Sequence, residues 1–146
     1  MVSQLLQLAQ WCYSHHLIRG GMLAEKLMIL FCGAHISGRA NIHKSVNFPH
    51  GGIGVVVNPA ASIDKGCIIG PHVVLGNRYP HTGAPSLGKN VYVGVGAKVI
   101  GGVKIGSYAI IGANAVVISD VPEGGVAVGV PAKVIKVISN TTNHDK

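Results

Sequence analysis

Eight histidines stand against only five carboxylates in this chain, so proton-transfer chemistry, if present, is histidine chemistry. His50 lies in the run Phe48-Pro49-His50-Gly51-Gly52-Ile53-Gly54, a histidine among glycines. A neutral imidazole, titrating near ~6.5, can take the proton of a hydroxyl as that oxygen attacks an activated carbonyl such as a thioester. A base so placed contributes roughly a hundredfold to ten-thousandfold in rate. His81 is the second candidate, as acceptor contact or alternative base, in Gly76-Asn77-Arg78-Tyr79-Pro80-His81-Thr82-Gly83-Ala84-Pro85. Asn77, Arg78 and Tyr79 in that run offer neutral and cationic donors to a hydroxyl-bearing acceptor. His43 and His72 read as surface residues, and Cys67 as core filling rather than an acyl-carrying nucleophile. The histidines lack tight ligand spacing, so no metal site is expected.

Something regular must position these residues, and the sequence shows what it is. Aliphatic side chains recur every six residues at Val57, Ile63, Ile69, Leu75, Leu87, Val93, Val99, Ile105, Ile111 and Val117. Ile36, Ile42 and Phe48 keep the same period on a frame displaced by three, and the displacement falls at the His50 run. Four residues after each aliphatic comes a small apolar side chain (Ala61, Cys67, Val73, Val91, Ala97 and their equivalents), and glycine often follows the aliphatic directly. Neither a helical period of 3.6 nor a strand period of 2 produces these columns. A solenoid of short strands and tight corners does, with one aliphatic filling the interior per side and glycine where backbones come close. The Gly76–Pro85 run takes the place of one or two hexads without changing the frame, so it is expected to bulge out as a loop.

These columns resemble the hexapeptide-repeat acyltransferases over about residues 36–137, which implies a left-handed parallel β-helix with three hexads per coil. His50-Gly51-Gly52-Ile53-Gly54-Val55-Val56-Val57, Val91 to Ala97, Ile111 to Val117 and Gly129-Val130-Pro131-Ala132 narrow the likeness to the serine acetyltransferase branch. The resemblance implies that His50 is the general base, that acetyl-CoA is the donor, and that the site is shared within a homotrimer. It also implies a donor groove beside Gly94, Ala97 and Ala113, with Lys133 and Lys136 meeting the phosphates and Lys98 in reserve. His35 and Pro49 stand where that branch carries acids that orient the histidine and hold an ammonium group. His35 is kept as a catalytic candidate at the orienting position. Without those acids a zwitterion is poorly held, since an unpaired charge in a site is costly. This charge argument favours a sugar or surface-glycan acceptor over free serine.

The remaining expectations concern organisation. Residues 1–34 read as two short helices broken at Gly20-Gly21, residues 35–122 as the β-helix, and residues 123–146 as a segment completing the donor site and ending in a polar tail. The helices are expected to cap the first coil, although Trp11, Leu17, Ile18 and Arg19 also suit weak contact with a membrane surface. A net charge of +7 with few aromatics and no basic run gives no nucleic-acid footprint. No apolar run is long enough to span a bilayer, and three widely spaced cysteines fit a reducing cytoplasm.

Overall fold

The computed structural model describes residues 1–138. Two helices, α1 (Val2–Ser14) and α2 (Ile18–Cys32), form a hairpin ahead of the solenoid. The solenoid then winds through β1 (His35–Ile36) and β2 (Asn41–Ile42), then β3 (Val56–Val57), β4 (Ser62–Ile63) and β5 (Ile68–Ile69). The third coil holds β6 (Val74–Gly76), β7 (Ser86–Leu87) and β8 (Tyr92–Val93), and the fourth β9 (Lys98–Ile100), β10 (Lys104–Ile105) and β11 (Ile110–Ile111). β12 (Val116–Val117), β13 (Gly125–Gly129) and β14 (Ala132–Val137) are the last strands among the described residues.

Three parallel sheets result, one for each side of a triangular prism: β1-β3-β6-β9-β12 on the first side, β2-β4-β7-β10 on the second, and β5-β8-β11-β13 on the third. This is the expected left-handed parallel β-helix. The register measures the interruptions. Where hexads run unbroken, partners lie 18 residues apart, as in Val56 with Val74 and Lys98 with Val116. Across the His50 run the separation is 21 (Asn41 with Ser62), and across the second run it is 24 (Val74 with Lys98). The first interruption therefore adds three residues, and the second adds the equivalent of a single hexad.

Both apolar columns point inward. Ile36, Val57, Leu75, Val99 and Val117 stack under the first side, while Ala61, Cys67, Val73, Val91 and Ala97 fill the bends, all at 2% exposure or less. Glycines beside them mark close approach of coils. A Cβ on Gly94 would stand 2.7 Å from the Ala113 nitrogen, and one on Gly70 2.9 Å from the Val95 nitrogen.

The hairpin closes the first coil with Val2, Leu6, Ala9, Cys12, Ala24 and Met28 turned inward. Glu25 ties it down, accepting hydrogen bonds from the Gly38 N–H at 2.8 Å and the Ser37 hydroxyl at 3.3 Å. Arg39 lies over the Tyr13 ring at 5.0 Å from its centre. At the far end β14 turns back antiparallel to β13, pairing Val126 with Lys136 and Gly129 with Ala132.

Candidate active site

The corner joining the third side to the first is built the same way in every coil. Gly54, His72, Gly96 and Asn114 occupy equivalent places there, and each N–H binds a carbonyl of the coil before: Gly33, Ile53, Pro71 and Val95, at 2.8–2.9 Å. All four have positive φ, so glycine, asparagine and histidine replace bulkier types. The His50 interruption enters this corner. Pro49–Gly52 form a tight 3-10 turn in which His50 (φ 53°) and Gly51 (φ 70°) are left-handed. His50 is exposed, and a Cβ on Gly51 would meet nothing within 4 Å, so open space borders the histidine.

His35 borders the same corner. Its N–H binds the Val55 carbonyl at 2.8 Å, at the end of the His50 run, and its side chain is exposed on the first side. The structure thus brings His35 and His50 to one region. It also brings His72, which is exposed as the sequence implies. The His72 ring fills the space a Cβ of Gly54 would need, so it braces the end of the His50 turn. The available signal was its place in the left-handed column, where the later coils carry Gly96 and Asn114.

His81 is elsewhere. The second interruption leaves the corner between the first and second sides, so within one chain the width of a side separates it from His50. The loop folds on itself through a bridge between Arg78 and His81, and its base packs where a Cβ on Gly83 would lie 2.9 Å from Gly102. Asn77, Arg78, Tyr79 and His81 all face solvent, Tyr79 at 93% exposure.

The proposed donor contacts divide. Gly94 and Ala97 are buried, and their N–H and carbonyl groups are engaged within the solenoid: Gly94 N–H to Ile111, Ala97 N–H to Gly94, and the Ala97 carbonyl to Val74 N–H. Gly94 is glycine because the next coil is too close for a side chain. Ala113 is exposed at the His72 corner. Lys133 and Lys136 are exposed on β14, and Lys98 turns its ammonium onto the Gly96 carbonyl at 2.6 Å. Cys67 is fully buried and donates to the Gly88 carbonyl at 3.0 Å, and burial pushes its thiol above the ordinary value. Among the described residues no three His, Cys, Asp or Glu side chains converge as a metal site would need.

The outward rows differ by side. The second side is polar, with Asn41, Ser62, Ser86 and Lys104 facing out. The third shows Ile68 and Tyr92 at 36% and 43% exposure, and the first shows Val56 at 39%. The third side's apolar row and the first side's mixed row, in which Val56, Val74 and Val116 stand with His35 and Lys98, flank the His50 corner.

Known proteins match this arrangement. Residues 84–119 fit the bacterial transferase hexapeptide (six repeats) model. A serine acetyltransferase of Synechococcus elongatus is 37% identical over 131 residues, covering 88% of this chain and 53% of the relative. Among solved structures, a serine acetyltransferase in complex with cysteine superposes with a TM-score of 0.88 at 28% identity, over 94% of this chain and 54% of the other. The Brucella abortus serine acetyltransferase in complex with coenzyme A gives 0.87 at 26% identity, over 93% and 55%. The chain spans about half the length of the relatives it matches.

Proposed function

Since the chain belongs to the hexapeptide-repeat transferases, on their serine acetyltransferase-like branch, we propose that it is an O-acetyltransferase using acetyl-CoA, with serine as acceptor. The observation that carries this is His50: an exposed imidazole in a left-handed turn at the one corner where three residues break the coil. Acetyl-CoA supplies the acetyl group as a thioester. His50 takes the acceptor's hydroxyl proton as that oxygen bonds the carbonyl carbon, and returns it to the departing sulfur as the carbon–sulfur bond breaks. No covalent acyl-enzyme is required, which accords with the burial of Cys67. His72, packed beneath Gly54, limits how far the His50 turn can shift.

For the donor, the exposed Ala113 and the cations Lys133, Lys136 and Lys98 fit a long neutral arm ending in phosphates. We place the donor between chains of a homotrimer, because the apolar row on the third side and the valines among the first side's outward residues border the His50 corner and leave the polar second side to solvent. That packing would let His81 and Tyr79 of one chain serve the His50 of another. Three free cysteines suit a reducing cytoplasm.

The missing acids favour a glycan, whereas the relatives and solved structures are serine acetyltransferases, and serine is the better supported acceptor. One observation keeps a sugar hydroxyl as the second reading: Pro49 and His35 occupy the places where the branch carries acids. The test is release of free thiol from acetyl-CoA with L-serine and, in parallel, with nucleotide sugars. Turnover is expected with serine, and His50→Ala should lower it at least a hundredfold while the fold persists. Full turnover by His50→Ala would sink the assignment, and turnover with sugars alone would transfer it to the second reading.

A further inference from the structure

The helical hairpin has a second face that neither the solenoid nor the proposed chemistry uses. Its inward side is already satisfied by the contacts of Leu6, Ala9, Cys12, Ala24 and Met28 with the first coil. Its outward side exposes large apolar groups: Trp11 at 52%, Leu23 at 58%, Leu30 at 74% and Phe31 at 62%. At about 100° per residue, the exposed positions of α2 other than Phe31 fall on a single arc. Ile18, Met22 and Ile29 form one edge of that arc, Leu23 and Leu30 the other, and Arg19 and Lys26 lie between them.

We propose that this face docks on an anionic lipid bilayer, with Arg19 and Lys26 meeting lipid phosphates while Trp11 and the flanking aliphatic side chains enter the headgroup layer. Charge decides the occupant. The hairpin's sole carboxylate, Glu25, is turned inward onto Ser37 and Gly38, so the outward face carries cations without an acid. Two copies of this face brought together would oppose like charges across an apolar contact, which is unfavourable. Anionic headgroups supply the missing sign, and long cationic stems can lie along apolar surface while their heads reach phosphate. The hairpin would lie on the bilayer and not through it, since no helix among the described residues is long and apolar enough to cross a membrane. The tryptophan at position 11 is the only one in the chain and is half exposed, and indole rings favour membrane–water interfaces.

That single tryptophan also provides the assay. With vesicles rich in phosphatidylglycerol its emission should shift to shorter wavelength, and the protein should float with the vesicles. With phosphatidylcholine alone the partition should be much weaker. The pair Arg19→Gln and Lys26→Gln should lower partition onto the anionic vesicles by about thirtyfold. The pair Leu23→Ser and Leu30→Ser should lower it on both kinds. Far-ultraviolet circular dichroism of each variant reports whether the hairpin remains folded, and none of these residues belongs to the proposed catalytic machinery. An unshifted Trp11 emission, or equal partition onto neutral and anionic vesicles, overturns the proposal. So does a solution mass that falls by half in Leu23→Asp, which would assign the face to a second copy. Capture of an acidic protein that competes with no lipid would assign it to that protein instead.

Discussion

Replacing Gly94 by alanine adds one methyl group where two coils meet, and the structure fixes what that methyl encounters. Its carbon would lie 2.7 Å from the Ala113 nitrogen and 2.9 Å from both the Gly112 carbonyl carbon and the Ile111 oxygen. All three are backbone atoms of the next coil, so no side chain can swing aside. The coil cannot retreat alone either, because Gly94 N–H binds the Ile111 carbonyl at 2.8 Å and Gly112 N–H binds Ala127 at 2.9 Å. Overpacking of this kind costs about 1–3 kcal/mol, and the rigid neighbours place Gly94 toward the upper end. Lower entropy of the unfolded chain returns about 0.4–1 kcal/mol, leaving a net loss of about 2 kcal/mol. For a domain of this size that lowers Tm by about 6–8 °C. Gly51→Ala is the control. Nothing lies within 4 Å of its added carbon, so only the left-handed φ of 70° opposes it, at a net cost of about 1 kcal/mol. Thermal melts of both proteins, followed by circular dichroism, should place Gly94→Ala below Gly51→Ala. Acetyl transfer should reverse that order at temperatures where both are folded, since Gly51 adjoins His50. A Gly94→Ala melt indistinguishable from wild type would refute the close-approach reasoning.

Other perturbations probe different layers. Leu75→Ala empties a fully buried site between the two loops and should cost about 2–5 kcal/mol in urea unfolding. Cys67, buried and held protonated, should resist alkylation at neutral pH until the protein is denatured, whereas the partly exposed Cys32 should react in the folded state. Glu25→Ala leaves the Gly38 N–H and Ser37 hydroxyl without their carboxylate, and hydrogen exchange in α1 and α2 should rise well before that of the coils. Burial, reinforced by the Glu25 charge, raises the Tyr13 phenol above its ordinary value. The folded chain therefore holds that proton more tightly than the unfolded one, and stability should fall as pH rises beyond about 10. Tyr13→Phe should flatten that slope.

The solenoid could be read from the sequence because its period is a burial rule. Each coil needs one aliphatic per side, so Val57, Ile63 and Ile69 announce the interior without reference to distant residues. The same rule exposed the interruptions, since three or six extra residues disturb a frame that is otherwise strict. What escaped was contact between coils. His72 is separated from Gly54 by seventeen other residues, and only the stacked register shows its ring beneath the His50 turn. The engagement of the Gly94 and Ala97 backbone groups by the ladder is likewise invisible in their residue types. Lys133 and Lys136 lie in a segment read as a short strand or helix, and pairing with β13 decides for strand. The inward turn of Glu25 was equally hidden, because helical spacing alone does not reveal a partner at Gly38.

The antiparallel return of β14 has a consequence for growth. A parallel coil presents at its last edge the same pattern of donors and acceptors that it accepted at its first, so winding could continue indefinitely. Reversing direction on the third side gives that edge a strand running the wrong way for another turn, and β14 thereby acts as a stop for elongation. Coil number is then set by how many hexads precede the reversal. Duplicating one uninterrupted coil upstream of β13 should lengthen the prism by one layer and still end cleanly, whereas deleting β14 should leave a templating edge on which chains associate end to end.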